Sequence, residues 1–332
     1  MKKIILSSFY TFLITLLSSL IYAQEIAPIS PTADETQKPS SSSLNIFTIH
    51  SFEDDTLLVS LSDIYNYSPN EIIIPGNKKE GFTKLQYKIS ASYRASFLTN
   101  TALSETDTLY IHHYPSGKTI SLPVKDLDII AHLNDYRSLS QAPFSDYDYM
   151  LGFEIPPEAL TPFKGNIYNS FVYIGQENPF IQKPLTPLSW HKIDTASFPA
   201  TTKTQDQEVF SDWPAHTNLP IGDTYLSETE GLQYYLQNRT EENGQLKGRR
   251  LLVTDPKTQQ IILDKFFYEH ESSSPAELNG EPGYDGTFQW AGKLFKDKPP
   301  VTFGFTWVSF GCPSIWVTAP NEYIPIHCDN RH

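Results

Sequence analysis

The sharpest alternation of apolar and polar side chains runs through residues 82–97. Leu85, Tyr87, Ile89, Ala91, Tyr93 and Ala95 fall on one side of a two-residue period, and Lys84, Gln86, Lys88, Ser90, Ser92 and Arg94 on the other. Period two with one polar face predicts a half-exposed strand of an antiparallel sheet. Shorter strands are expected at 45–52 and 56–61, turning over Glu53-Asp54-Asp55, and a buried one at Ile72-Ile73-Ile74. Residues 108–114 and 118–122 read as a hairpin over Pro115-Ser116-Gly117, with further strands at 147–155 and 167–175. One stretch, 124–134, reads as helix, because Val124, Leu127, Ile130, Ala131 and Leu133 gather toward one face after Pro123.

Between 177 and 220 the pattern dissolves into recurrent prolines at 179, 184, 187, 199, 214 and 220. Such a stretch predicts an extended connector between domains. Beyond it the chain reads as a meander, with strands at 232–239, 245–254 and 259–268. They turn at Glu241-Glu242-Asn243-Gly244, a strong hairpin signal, and at Asp255-Pro256-Lys257-Thr258. A long polar loop at 271–286 precedes strands at 287–295, 301–310 and 314–318. The expected fold is therefore mainly β, of antiparallel sheets, with α+β character confined to the N-terminal half. It comprises two β-rich domains, 45–176 with one short helix and 221–332 closed by a disulfide-bearing strand pair.

The N-terminus changes this picture by adding a compartment. Lys2 and Lys3 precede an uncharged apolar run, Ile4 to Ile21, and Ala23 offers a small residue for cleavage. These are the parts of a secretory signal peptide over 1–23. Retention as an anchor is the alternative, since the run is about as long as a minimal spanning helix. Residues 24–44, rich in Pro, Ser and Thr, read as a disordered spacer. The chain has two cysteines, Cys312 and Cys328. In an exported protein they are expected to pair, which for a loop of this size stabilises by about 3 kcal/mol. The protein is therefore expected in the periplasm or outside the cell, with no membrane span in the mature chain.

Composition is that of a globular protein, with 39% hydrophobic and 19% charged residues. The net charge of −13 argues against nucleic acid as a partner, because phosphate neutralisation needs clustered Lys and Arg. The one dense basic run, Lys247, Arg249 and Arg250, is expected on a solvated strand edge.

Familiar catalytic patterns are missing. There is no Gly-x-Ser-x-Gly and no His-Glu-x-x-His. The run 286–293 has five residues between its glycines, where a phosphate loop has four, and Leu294 replaces the magnesium-binding hydroxyl. Ser189 and Lys192 have the Ser-x-x-Lys spacing but lie in the Pro-rich connector without companion motifs. His112 and His113, adjacent on a strand, must point to opposite faces. The loop 279–286 offers oxygen ligands without EF-hand spacing and reads as a solvated turn. His327, Asp329 and His332 flank Cys328 and would form a soft-metal site only around a free thiolate, so with the bridge formed no metal is expected.

No catalytic residue and no cofactor is assigned. The expected function is that of an exported, non-catalytic bacterial envelope or secreted protein that binds a protein or glycan partner. Trp290, Trp307 and Trp316 are the candidate binding aromatics, unless they fill the last sheet's core. Two alternatives stand beside it. One is a secreted hydrolase whose site is assembled from scattered carboxylates and His; a pocket gathering several carboxylates and a His would turn the reading that way. The other is a structural component of an envelope assembly, marked by an exposed sheet edge or a large apolar patch.

Overall fold

Short runs of β-branched and aromatic residues, separated by Gly, Pro and Asn, become strands throughout the chain. The computed structural model describes residues 44–66, 73–76, 79–163, 166–211, 218–319 and 322–330. The signal peptide expected at 1–23 and nearly all of the spacer lie outside the described residues.

In chain order the elements begin with β1 (Ile46–Phe47), β2 (His50–Ser51), β3 (Leu57–Ser60), β4 (Gln86–Lys88) and helix α1 (Ala91–Asn100). Next come β5 (Thr108–His113), β6 (Lys118–Pro123), β7 (Ile129–Leu133), β8 (Tyr149–Glu154) and β9 (Ser170–Gly175). The middle of the chain supplies β10 (Thr186–Pro187), β11 (His191–Ile193) and α2 (Lys203–Val209). Then follow β12 (Ile221–Thr229), β13 (Leu232–Thr240), β14 (Leu246–Asp255), β15 (Gln260–Tyr268) and β16 (Ser273–Pro275). The chain closes with β17 (Trp290–Gly292), β18 (Val301–Phe303), β19 (Thr306–Val308), β20 (Ser314–Val317) and β21 (Tyr323–His327).

The fold is mainly β, as expected, and among the described residues the strand pairings are antiparallel except for β1 beside β21. A nine-stranded sheet runs β10-β17-β18-β20-β21-β1-β9-β5-β6. It draws strands from both sides of the 177–220 stretch, so that Ile46 pairs with Tyr173 on one side and Ile326 on the other. A five-stranded sheet, β2-β3-β8-β7-β4, shares a core with it through Phe47, Leu109, Ile111, Val172 and Ile174. A second core gathers Ile46, Phe171, Trp290, Phe303, Ile315 and Ile326. A third joins the meander β11-β12-β13-β14-β15 to Leu188, Ala291 and Phe305. The 177–220 stretch supplies β10 to the large sheet, β11 to the meander, and α2, whose Asp206 meets Arg250.

Three local expectations are corrected. The strand expected over 82–97 is only the short β4, and from Ala91 the chain is helical. Its apparent alternation counted two alanines as apolar, whereas alanine is the best helix former, and Tyr93 and Phe97 lie four apart on one helical face. Arg94 on α1 grips Glu105 with two nitrogens (2.7 and 2.9 Å) and donates to the carbonyls of Val124 and Leu127.

The helix expected over 124–134 is a single 3-10 turn followed by β7. All five residues of β7 are buried, since Ile129, Ala131 and Leu133 pack into the main core and Ile130 packs with Phe52, Leu58 and Met150. A strand buried on both faces shows a continuous apolar run, which periodicity cannot separate from helix.

Arg249 and Arg250 are not on a solvated edge. They lie on β14, inside the meander, and are 4% and 2% exposed. Arg250 holds Asp264 with two nitrogens (3.0 and 2.7 Å) and Asp206 with the third (2.7 Å). Arg249 donates to the Ala276 carbonyl and reaches Asn238 and Glu281. Burial is tolerated because each guanidinium is paired.

Candidate ligand-binding cleft

A cleft of about 1300 Å³ opens where the second and third cores meet. Its floor is aromatic. Tyr114, at the end of β5, lies 5.1 Å from Phe171, 5.3 Å from Trp290 and 5.1 Å from Phe303, ring centre to ring centre. The register Trp290↔Phe303 between β17 and β18 sets two of these rings side by side. All four are under a tenth exposed, so what they offer the cleft is a thin apolar surface above a filled core. The Tyr114 hydroxyl donates to Asn169 Oδ1 (3.0 Å), and burial pushes its pKa far above the ordinary tyrosine value.

The rim is built from loops. Trp307 on β19 is 46% exposed, and two contacts fix its orientation. Its indole N–H donates to Glu277 Oε2 (2.6 Å), and its ring stands edge-on to Phe288 at 4.8 Å. Elsewhere on the lining, Asn134 sets a turn by accepting from the Tyr136 N–H (2.9 Å) while donating to the Asp148 carbonyl (3.0 Å). That turn carries Asp135 and Tyr136 outward, Tyr136 being 59% exposed. Tyr168, 72% exposed, stands just before β9 between Asn166 and Asn169.

The loop leading into β17 is held from inside rather than loosely solvated. Asn279 Oδ1 accepts from the N–H groups of Phe288 (2.7 Å) and Gln289 (3.1 Å), and its Nδ2 donates to the carbonyls of Leu188 and Gln289. Gln289, fully buried, donates to the carbonyls of Glu277 and Gly304, both at 2.8 Å. Gly304 lets this loop close. It has φ +86°, and a Cβ there would stand 1.8 Å from the Phe288 carbonyl oxygen.

One end of the cleft is polar. Ser60 donates to the Asp329 carboxylate, and the Asp329 N–H donates to Asp63 (2.9 Å). His50 lies beside them. Burial lowers its pKa below the ordinary histidine value, opposed by the carboxylates of Asp329, Asp135 and Asp63, so the ring is neutral at neutral pH. Two buried polar atoms of the lining have no hydrogen-bond partner, His50 Nε2 and Ser170 Oγ. Ser170 is only 3% exposed. Buried polar atoms are nearly always satisfied, so each such exception calls for a partner.

The residues singled out in sequence fall as follows. Trp290, Trp307 and Trp316 all line the cleft: Trp290 buried in the floor, Trp316 half-buried, Trp307 exposed on the rim. Lys265 lies over the Trp316 ring at 4.5 Å. Cys312 and Cys328 are bonded to each other, with Cα atoms 5.6 Å apart, and both line the cleft beside Pro313 and Asp329. His327 is turned elsewhere, with Nε2 at 3.2 Å from Asn45 Oδ1 and its ring against Phe47. His332 lies outside the described residues. Among the described residues no group of three or more His, Cys, Asp or Glu is disposed to hold a metal ion. Ser189-x-x-Lys192 separates, with Lys192 paired to Asp223 (2.7 Å) on the neighbouring β12.

The sequence reading missed His50, Ser170 and the rim residues of the N-terminal half. A signal for the rim was present: Asn134-Asp135-Tyr136 and Asn166-Ile167-Tyr168-Asn169 share an Asn-x-Tyr pattern in turn context. Comparison with known families, characterised proteins and solved structures finds no match for this chain.

Proposed function

We propose that the protein is exported and that it binds an oligosaccharide in this cleft. The observation that carries the reading is the exposed, oriented Trp307, which lines the cleft together with the exposed Tyr136 and Tyr168 and an aromatic floor. Sugar rings have apolar C–H faces edged by hydroxyls. They suit flat aromatic surfaces bordered by amide and hydroxyl groups, here Asn166, Asn169, Asn330 and Ser170. The volume of about 1300 Å³ accommodates several sugar units rather than one. Export is supported by the disulfide, which belongs to an oxidising compartment, and by the layout of residues 1–23.

Hydrolysis is the second reading, because Asp135, Asp285, Asp329 and His50 line the same cleft. Binding ranks ahead of it on physical grounds. Asp329 is engaged by Ser60, while Asp135 and Asp285 are exposed on loops of different sheets. Glycoside cleavage needs two carboxylates facing each other across the scissile bond.

Calorimetric titration of the chain from residue 24 onward with neutral oligosaccharides is the test. Binding is expected, with Trp307→Ala weakening it about tenfold, the ~1.4 kcal/mol of one aromatic contact. Failure of every oligosaccharide in a broad panel to bind the unaltered protein would overturn the reading. Release of new reducing ends during the titration would replace it with hydrolysis. Intact mass of the protein recovered outside the cytoplasm tests export. It should match cleavage after Ala23 and the loss of two hydrogens, and recovery only from the cytoplasm would refute export.

A further inference from the structure

The charges along the cleft are one-sided. Among the described residues that line it there are three aspartates and no lysine or arginine. Asp135 and Asp285 are both exposed, on the loop after β7 and on the loop before β17. An acidic sugar in the cleft would meet like charge from both loops, with Lys265, held over the Trp316 ring, as a cation bordering the lining. A neutral one can donate hydroxyl hydrogen bonds to the carboxylates but brings no charge to pair with them.

A protonated amine fits three separate features of the cleft. The carboxylates attract it. The faces of Trp307, Tyr136 and Tyr168 carry the negative quadrupole that draws a cation. The polar end supplies acceptors that the protein itself leaves unused: Ser170 Oγ, 3% exposed and without a partner, and the buried Nε2 of His50. A neutral imidazole nitrogen can accept a hydrogen bond from an ammonium group, and a serine oxygen has lone pairs to do the same. An ammonium group, with three N–H donors and no acceptor, is the functional group such a wall would satisfy.

We propose that the saccharide bound here is an amino sugar oligomer carrying free, protonated amines, and that Asp135 and Asp285 select it over N-acetylated and acidic counterparts. This inference rests on the cleft being a saccharide site.

The probes are glucosamine oligomers, N-acetylglucosamine oligomers of the same length and oligogalacturonate, titrated at mildly acidic pH where glucosamine amines hold their proton. The amino oligomer is expected to bind at least about fivefold more tightly than the acetylated one, the ~1 kcal/mol of a partly exposed charge contact. That advantage should shrink as salt is raised, and oligogalacturonate should not bind. In the double variant Asp135→Asn, Asp285→Asn the ratio of the two affinities should fall to about one. Both positions are exposed, so folding is not at stake. Ser170→Ala should weaken the amino oligomer specifically.

Equal affinity for the amino and acetylated oligomers, or an advantage that survives the double variant, overturns the charge selection while leaving the saccharide site intact. Failure of all three to bind would count against the saccharide site itself.

Discussion

At the scale of single residues, the cleft depends on a few side chains held by contacts that sequence cannot display. Trp307 is exposed yet oriented, because Glu277 takes its N–H and Phe288 supports its ring. Removing it should cost binding and little stability. Gly304 is the converse case, a residue without a side chain on which the geometry of the floor depends. Gly304→Ala would place a methyl group against the Phe288 carbonyl in a left-handed backbone conformation. A loss of about 2 kcal/mol or more is expected, read as a lowered thermal midpoint. The same variant should weaken saccharide binding by displacing the loop that carries Phe288.

At the scale of elements, a buried arginine ties α2 to the meander, beside Phe210, whose ring packs on Phe266 at 4.7 Å. Arg250 on β14 is 2% exposed and bridges Asp264 on β15 to Asp206 on α2. Asp264→Asn would leave the guanidinium buried with a neutral partner. Denaturant titration should show a loss of about 3 kcal/mol, whereas Asp206→Asn, at the more exposed carboxylate, should cost clearly less. The misread elements belong to this scale as well. β7 and α1 exchanged their expected types because each is decided by what it packs against. β7 lies between two strands, and α1 buries Phe97 and Leu98 while Arg94 ties it to the carbonyls of Val124 and Leu127.

At the scale of the whole molecule, buried histidines link stability to pH. His112 on β5 is fully buried, stacks on Phe180 at 4.8 Å and has no partner for Nε2. Burial, with a smaller contribution from His113, lowers its pKa from 6.5 to about 4. The unfolded chain therefore takes up the proton first. Stability is fully present above pH 6.5 and falls as pH drops toward about 4, by an expected ~3 kcal/mol from this residue. His50, His113 and His327 are lowered too and act in the same direction. Urea midpoints measured across this range should fall with acidity, and His112→Asn should flatten the fall. A midpoint independent of pH through that window would contradict the assignment.

The sequence by itself determined the class of fold, because frequent turn residues between short aromatic and β-branched runs leave little room for long helices. It pointed to the pairing of Cys312 with Cys328, since they are the chain's two cysteines and an intrachain bridge has no other choice. It also marked Trp290, Trp307 and Trp316, the three aromatics that the structure sets along one cleft. Only the tertiary structure decided that Ile46 joins Tyr173 to Ile326 in one sheet, that two arginines are buried, and that His50 and Ser170 line one cleft with the C-terminal tryptophans. Local periodicity reports which face of an element is apolar. Strand partners far apart in sequence are chosen by the burial they complete together, and that choice has no local signature.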